Sequence, residues 1–121
     1  MKSDNDVTVC EVGLRDGLQS IEPFFPTAEK IAWIRAEAAA GVPAIEVTSF
    51  VPPKLIPQFA DSQEVVAAAL AVEGLRVDAL VPNLKGAERA LELGVHSIDF
   101  VMSVSRTHNL KNVRREREDS I

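Results

Sequence analysis

Short apolar runs alternate along this chain with longer stretches of helical periodicity. Val7 to Val12 is apolar and β-prone, and Thr27 to Ala40 follows with Ile31, Ile34 and Ala38 recurring at helical spacing. Thr27 stands where an N-cap belongs, Glu29 suits a first helical turn, and Gly41 supplies a stop. Ala44 to Phe50 reads as a second strand, in which Ile45 and Val47 alternate with Glu46 and Thr48. Asp61 or Ser62 is placed to cap a second helix reaching Val72. Leu75 to Val81 is a third strand, which Pro82 should end. Leu84 to Leu93 makes a third helix closed by Gly94. Ser97 to Val104 makes a fourth strand, and Leu110 to Ile121 has the look of a fourth helix beginning.

The pattern gives four βα units, the last expected to be incomplete, and strands alternating with helices imply a parallel sheet with right-handed crossovers. Two α/β architectures compete: a small open doubly wound sheet, or a piece of a (β/α)8 barrel. A barrel takes about 250 residues, so a chain of 121 residues would hold half of one. Length alone favours the open sheet, and it sets residues 1–121 as one domain.

Composition narrows the partners. The chain is 46% apolar and 26% charged, as in an ordinary globular sequence. No run approaches the roughly 20 apolar residues of a membrane span, and the first residues carry Asp4 and Asp6 in place of an apolar signal core. The expectation is a cytoplasmic protein without a membrane partner. A net charge of −5 argues against a nucleic-acid partner, since only Arg106 to Arg117 is locally basic. Arg114 with Glu118, and Arg115 with Asp119, lie four apart as on a solvated helix face. Cys10, the single cysteine, excludes a disulfide framework and reads as a buried, inert thiol in the first strand.

Chemistry in parallel α/β folds gathers where strands end and helices begin. Arg15, Asp16, Gly17 and Gln19 follow the first strand, and Gly17 would let the backbone bend. Asp16 suits a hard divalent cation such as Mg2+ or Mn2+. Arg15 suits charge developing on an enolate or carbonyl oxygen. The same pair also reads as a surface ion pair in a tight turn. Glu46 is costly to bury alone, so it either pairs with Arg15 or a metal-bound water, or lies on an exposed edge strand. Thr48 and Ser49 end the second strand, Asn83 and Lys85 follow the third, and Ser103, Ser105, His108, Asn109 and Asn112 follow the fourth. The proline-stiffened stretch from Val51 to Gln58 forms either a wall of a substrate site or a rigid connection. His96, before the fourth strand, falls at the opposite end and reads as structural. No GxGxxG, Walker loop, CxxC or Ser-His-Asp arrangement occurs.

The segments VGLRDGLQ, IEVTSFVPPKLIPQFAD and VPNLKGAERALELGV resemble the 3-hydroxy-3-methylglutaryl-CoA (HMG-CoA) lyase family. The first motif and the Ile45-Glu46 pair resemble a wider superfamily of metal-dependent acyl-CoA lyases and Claisen-type synthases; the other segments are more particular to the lyase. The resemblance implies a (β/α)8 TIM barrel, of which this chain supplies the first four βα units, a half barrel. It implies cleavage of HMG-CoA to acetyl-CoA and acetoacetate, the chemistry of leucine degradation and ketone-body formation. Residue by residue, it implies Asp16 as a ligand of a divalent cation (Mg2+ or Mn2+), Arg15 as the group that steadies the enolate, and Glu46 as a second catalytic residue. Gln19, Ser49 and Asn83 are the expected substrate-binding positions for an acyl-CoA thioester. Where that family has Ser-Glu after the fourth strand this chain has Ser105-Arg106, which leaves open another 3-hydroxyacyl-CoA as substrate of a retro-Claisen or Claisen-type enzyme. The family's His-x-His pair and glycine-rich cysteine loop are not in this sequence. Little or no turnover is therefore expected of these residues alone. They would work as a homo-oligomer (a dimer), or joined to a missing C-terminal half. A non-catalytic half barrel paired with another chain through its strand edges is the remaining alternative.

Overall fold

The computed structural model describes residues 7–101. Four strands form a single parallel sheet in the order β1-β2-β3-β4: Cys10–Glu11, Ala44–Ser49, Arg76–Val81 and Ser97–Phe100. Helices α1 (Thr27–Ala39), α2 (Ser62–Leu70) and α3 (Leu84–Leu93) connect them. A doubly wound sheet must reverse its strand order at a switch point. Here the order runs in sequence without reversal, and right-handed crossovers then place every helix on the same face. That is how a (β/α)8 barrel is laid out, as the resemblance implied, and the open sheet that length alone favoured is set aside.

The core lies between the helices and that face. Ile45, Val47, Val77, Ala79 and Val81 of the sheet meet Ile34, Val65, Val66 and Ala69 of the helices, with Leu14 and Leu18 closing one end. β2 is buried along its whole length because β1 and β3 flank it. The alternation seen in the sequence therefore marks two buried faces, and Glu46 does not lie on an exposed edge.

Several boundaries differ from the sequence expectation. β1 is confined to Cys10–Glu11, with Val7 and Val9 exposed. It has one neighbour only, and the chain turns away at Val12, whose carbonyl accepts the Arg15 and Asp16 N–H groups. Thr27 does not cap α1: Pro26 occupies the cap position, and the Thr27 hydroxyl binds Asp61 Oδ2 at 2.7 Å. Asp61 is the N-cap of α2 as expected, its carbonyl accepting the Val65 N–H at 3.1 Å, but its carboxylate caps no N–H because it is engaged by Thr27 and Lys30. α2 stops at Leu70, short of Val72. α1 ends as expected at Gly41, whose φ of 98° lets Gly41 N bond Ala38 O and Val42 N bond Glu37 O, both at 3.1 Å. His96 is held at the start of β4 by reciprocal bonds with Val77: its Nδ1 accepts the Val77 N–H, and its own N–H bonds Val77 O, each at 2.9 Å.

The pairing of β2 with β3 carries an irregularity that re-aims two side chains. It runs Glu46 to Asp78, then skips to Thr48 with Ala79 and Ser49 with Leu80. Thr48 is thereby turned to the helices, where its hydroxyl meets Ser62 Oγ at 2.6 Å. Ser49 is brought onto the same face as Glu46 and Asp78, which an unbulged strand would not allow.

Candidate active site

β1 leads into a turn of π-helix, Gly13–Gly17, in which the Val12 carbonyl receives the N–H groups of Arg15, Asp16 and Gly17 at 3.1, 2.7 and 3.5 Å. Such turns often mark functional positions. Leu14, 1% exposed, anchors the turn in the core, so Arg15 and Asp16 project from a fixed base. Gly17 does not have a left-handed backbone here, and a Cβ added to it would meet nothing within 4 Å. The glycine the turn requires is Gly13: a Cβ there would lie 2.7 Å from Trp33 Cζ2 and 2.8 Å from Glu11 Oε1.

Arg15 is the hub. Its Nε donates to Glu46 Oε1, while Nη1 reaches Asp16 Oδ1 at 3.4 Å and Gln19 Oε1 at 3.3 Å. None of these bonds uses Nη2. The structure thus brings four of the expected residues together, and within that group the Arg15–Asp16 pair is an ion pair in a turn with Asp16 exposed. Glu46 is 5% exposed, and its pairing with Arg15 is one of the two arrangements expected for a buried carboxylate there. Burial first, and then Asp99, push its carboxyl up to about 7, while Arg15 pulls the other way. The Cys10 thiol is pushed up to about 11 by burial and by Asp78, as befits an unreactive thiol.

Ser49 and Asn83 end β2 and follow β3, on the same edge of the sheet as Arg15. Ser49 is fully buried, and its Oγ has no hydrogen-bond partner among the described residues. A buried hydroxyl left so is costly unless something else meets it. Asn83 caps α3: its side-chain oxygen accepts the Gly86 N–H at 2.9 Å. It also lines a cavity of about 430 Å³ with Phe50, Pro52, Pro53, Phe59 and Lys85. The proline-stiffened stretch thus contributes Val51, Pro52 and Pro53 to the lining of this cavity.

Asp16 is 70% exposed and offers one hard oxygen. Among the described residues no three His, Cys, Asp or Glu side chains come together as a metal site. Asp16 by itself fits as one of the several oxygen ligands that a Mg2+ or Mn2+ ion takes. Ser103, Ser105, His108, Asn109, Asn112, the Arg106 to Arg117 cluster and the expected helix from Leu110 lie outside the described residues.

Two groups escaped the sequence reading. Asp99, between Ile98 and Phe100 in β4, has the same signature as Glu46 between Ile45 and Val47. Lys30 is the other: 2% exposed, it bonds Asp61 Oδ1 at 2.7 Å and Gln58 O at 2.5 Å. Gln58 Nε2 in turn reaches the Ile21 carbonyl.

The HMGL-like family model matches residues 6–121. The chain is 43% identical over 115 residues to the hydroxymethylglutaryl-CoA lyase of Bacillus subtilis, covering 95% of this chain and 38% of that protein. It is 40% identical over 121 residues to the 3-hydroxy-3-isohexenylglutaryl-CoA/hydroxymethylglutaryl-CoA lyase of Pseudomonas aeruginosa, covering 100% of this chain and 40% of that one. Among solved structures, an HMG-CoA lyase of Acinetobacter baumannii in complex with coenzyme A and 3-methylmalate is similar with a TM-score of 0.87 at 40% identity, over 99% of this chain and 40% of that chain. The chain thus spans about two fifths of the length of the relatives it matches. Its parallel sheet corresponds to the N-terminal part of their TIM barrels.

Proposed function

Because this chain belongs to the HMGL-like family, we propose that it supplies the Arg15 corner of a carbon-carbon lyase that cleaves HMG-CoA to acetyl-CoA and acetoacetate. The observation that carries the reading is the Arg15 guanidinium, held by Glu46, Asp16 and Gln19 at the carboxyl end of a parallel sheet. Its relatives are named for this reaction.

Cleavage starts when the 3-hydroxyl loses its proton to a base. The alkoxide then becomes a carbonyl, the adjacent C–C bond breaks, and its electron pair passes to the thioester to form an enolate. Protonation of the enolate carbon yields the acetyl thioester. Arg15 serves the enolate step: charge develops on the thioester oxygen, and a fixed guanidinium there stabilises it without reorganising. Glu46 orients that guanidinium, since a charge-assisted bond at Nε fixes its plane. Gln19 and Asn83 are assigned to the substrate, and Ser49 offers its buried, unpartnered hydroxyl to the same end. Asp16 is assigned as one ligand of a divalent cation, Mg2+ or Mn2+, whose other ligands must come from outside the described residues. That ion would bind and polarise the substrate's oxygens.

The acyl-CoA thioester as substrate, a dimeric assembly, a single domain over residues 1–121 and a cytoplasmic location belong to the same proposal. No helix among the described residues is long and apolar enough to cross a membrane. A second reading, a retro-Claisen enzyme acting on a bulkier 3-hydroxyacyl-CoA, is favoured by the name of the Pseudomonas relative.

One pair of assays tests the proposal. The 121 residues alone, given HMG-CoA and Mg2+, should release no acetoacetate at usual lyase rates. Joined in frame to the remainder of the Bacillus relative, they should cleave HMG-CoA in preference to thioesters with longer 3-substituents. Full turnover by the isolated chain would refute the first part, and preference for the longer thioester would install the second reading.

A further inference from the structure

The chain that leads from the π turn to α1 has little backbone order of its own. From Glu22 to Pro26 it forms no element, and none of its N–H groups makes a backbone bond among the described residues. The last bonds before it are long: Ser20 N to Gly17 O at 3.3 Å and Ile21 N to Leu18 O at 3.4 Å. Gln19 lies just there, exposed, with its Oε1 accepting from Arg15 Nη1 at 3.3 Å. A bond so placed contributes little by itself, because water competes for both groups and two side chains lose rotamer freedom in making it. Its persistence depends on a backbone fixed in advance.

That backbone is fixed from a distance. Gln58, 8% exposed in the 3-10 turn Pro57–Phe59, turns its amide Nε2 to the Ile21 carbonyl and, at 3.4 Å, to the Glu22 carbonyl. Its own carbonyl is pinned by Lys30 Nζ at 2.5 Å. Lys30 in turn is held by Asp61 at 2.7 Å and lies over the Phe24 ring, 4.6 Å from its centre. Gln58 is therefore a donor with a rigid base, and the carbonyls it holds come two and three residues after Gln19.

We propose that Gln58 is a positioning residue of the Arg15 site, acting through Gln19. The proposal rests on the reading of Arg15 as the enolate-stabilising group. Glu46 holds Arg15 by Nε, and a single bond leaves the guanidinium plane free to swing about it. The Gln19 bond at Nη1 adds a second point; unlike the Asp16 contact it is made by a neutral group and cancels none of the positive charge. Nη2, which neither bond uses, is then left in a fixed direction for the enolate oxygen. The same bond commits Gln19 Oε1 to Arg15 and leaves the two N–H donors of its Nε2 for a substrate oxygen. Losing the Gln58 amide loosens Ile21 and Glu22, and with them both alignments.

Two readouts test the proposal. In the 121-residue chain, the Arg15 Nε–H signal in a nitrogen-15 NMR spectrum is assigned by its absence in Arg15→Gln. It should shift, and exchange with water severalfold faster, in Gln58→Met as in Gln19→Ala, and the double variant should add nothing further. In the enzyme joined to the remainder of the Bacillus relative, Gln58→Met should lower kcat/KM about fivefold or more, but less than about twofold in the Gln19→Ala background, as expected of residues that act through a shared contact. A role confined to stability would lower the unfolding temperature and leave both readouts unmoved. An unmoved Arg15 signal overturns the proposal, and so does a kinetic loss that is equal with and without Gln19. Should Gln58→Met not fold, Gln58→Asn, whose amide ends a methylene short, takes its place under the same criteria. A joined parent without turnover counts against the lyase reading alone, and the Arg15 signal then decides.

Discussion

Gly13 and Gly17 flank Arg15 and Asp16, and they differ in what they tolerate. A methyl group at Gly13 runs into the Trp33 ring and the Glu11 carboxylate, while one at Gly17 points into open space. Gly13→Ala should therefore cost about 1–3 kcal/mol, the range of overpacking a filled site. Gly17→Ala should be neutral or stabilising by up to about 1 kcal/mol, through the unfolded chain it restricts. Urea unfolding of both variants checks the ordering, and equal losses would contradict this account of the turn. The motif pointed to the wrong hinge. A flexible glycine after Arg15-Asp16 is what the sequence suggests, and only the packing of Trp33 from α1 shows that Gly13 is the constrained one. Arg15 and Glu46 were legible for a different reason: a carboxylate inside an apolar strand asks for a cation, and Arg15 was the candidate at hand.

The loops at the carboxyl edge of the sheet owe their order to a buried lysine. Lys30 leaves the amphipathic pattern of α1 and points inward, tying the helix to the Asp61 carboxylate and the Gln58 carbonyl. Gln58 continues the chain of bonds to the Ile21 carbonyl, so the segment after the π turn and the stretch before α2 are fixed to each other. The stretch from Pro57 to Asp61 is thus explained as a clamp. Lys30→Met keeps the aliphatic volume but strands the Asp61 charge. Breaking a buried pair in this way costs about 3–5 kcal/mol, and thermal unfolding should register it. A loss below about 1 kcal/mol would show that the lysine is not what holds the two loops. Strand and helix order was readable from periodicity because β2, β3 and α3 have strong patterns and clear stops at Pro82 and Gly94. Helix caps were less so. Thr27 and Asp61 have the right chemistry for capping, but a tertiary partner, Lys30, competes for Asp61 and wins through a charge-assisted bond in a dry setting.

At the scale of the molecule, a sheet in the order β1-β2-β3-β4 with helices on one face leaves, among the described residues, two strand edges unpaired and one sheet face without helices. Exposed apolar side chains gather there: Val7 and Val9 beside β1, and Ile98 and Phe100 on β4. This is the shape of a barrel segment, and its length, about two fifths of the relatives it matches, agrees. Length alone favoured the open sheet, because both architectures begin with the same βα repeat; the resemblance implied the barrel, and the unreversed strand order agrees with it. The central claim is that Arg15, held by Glu46, stabilises the enolate of an HMG-CoA lyase reaction. It is tested most directly in the joined enzyme, with these residues completed by the remainder of the Bacillus subtilis relative, by comparing kcat for Arg15 with Arg15→Gln. The account predicts acetoacetate release by the parent and a roughly 10²- to 10³-fold lower kcat for the variant, the loss typical of removing one preorganised donor to a developing oxyanion. A folded parent without activity, or a variant within about tenfold of its parent, would contradict it.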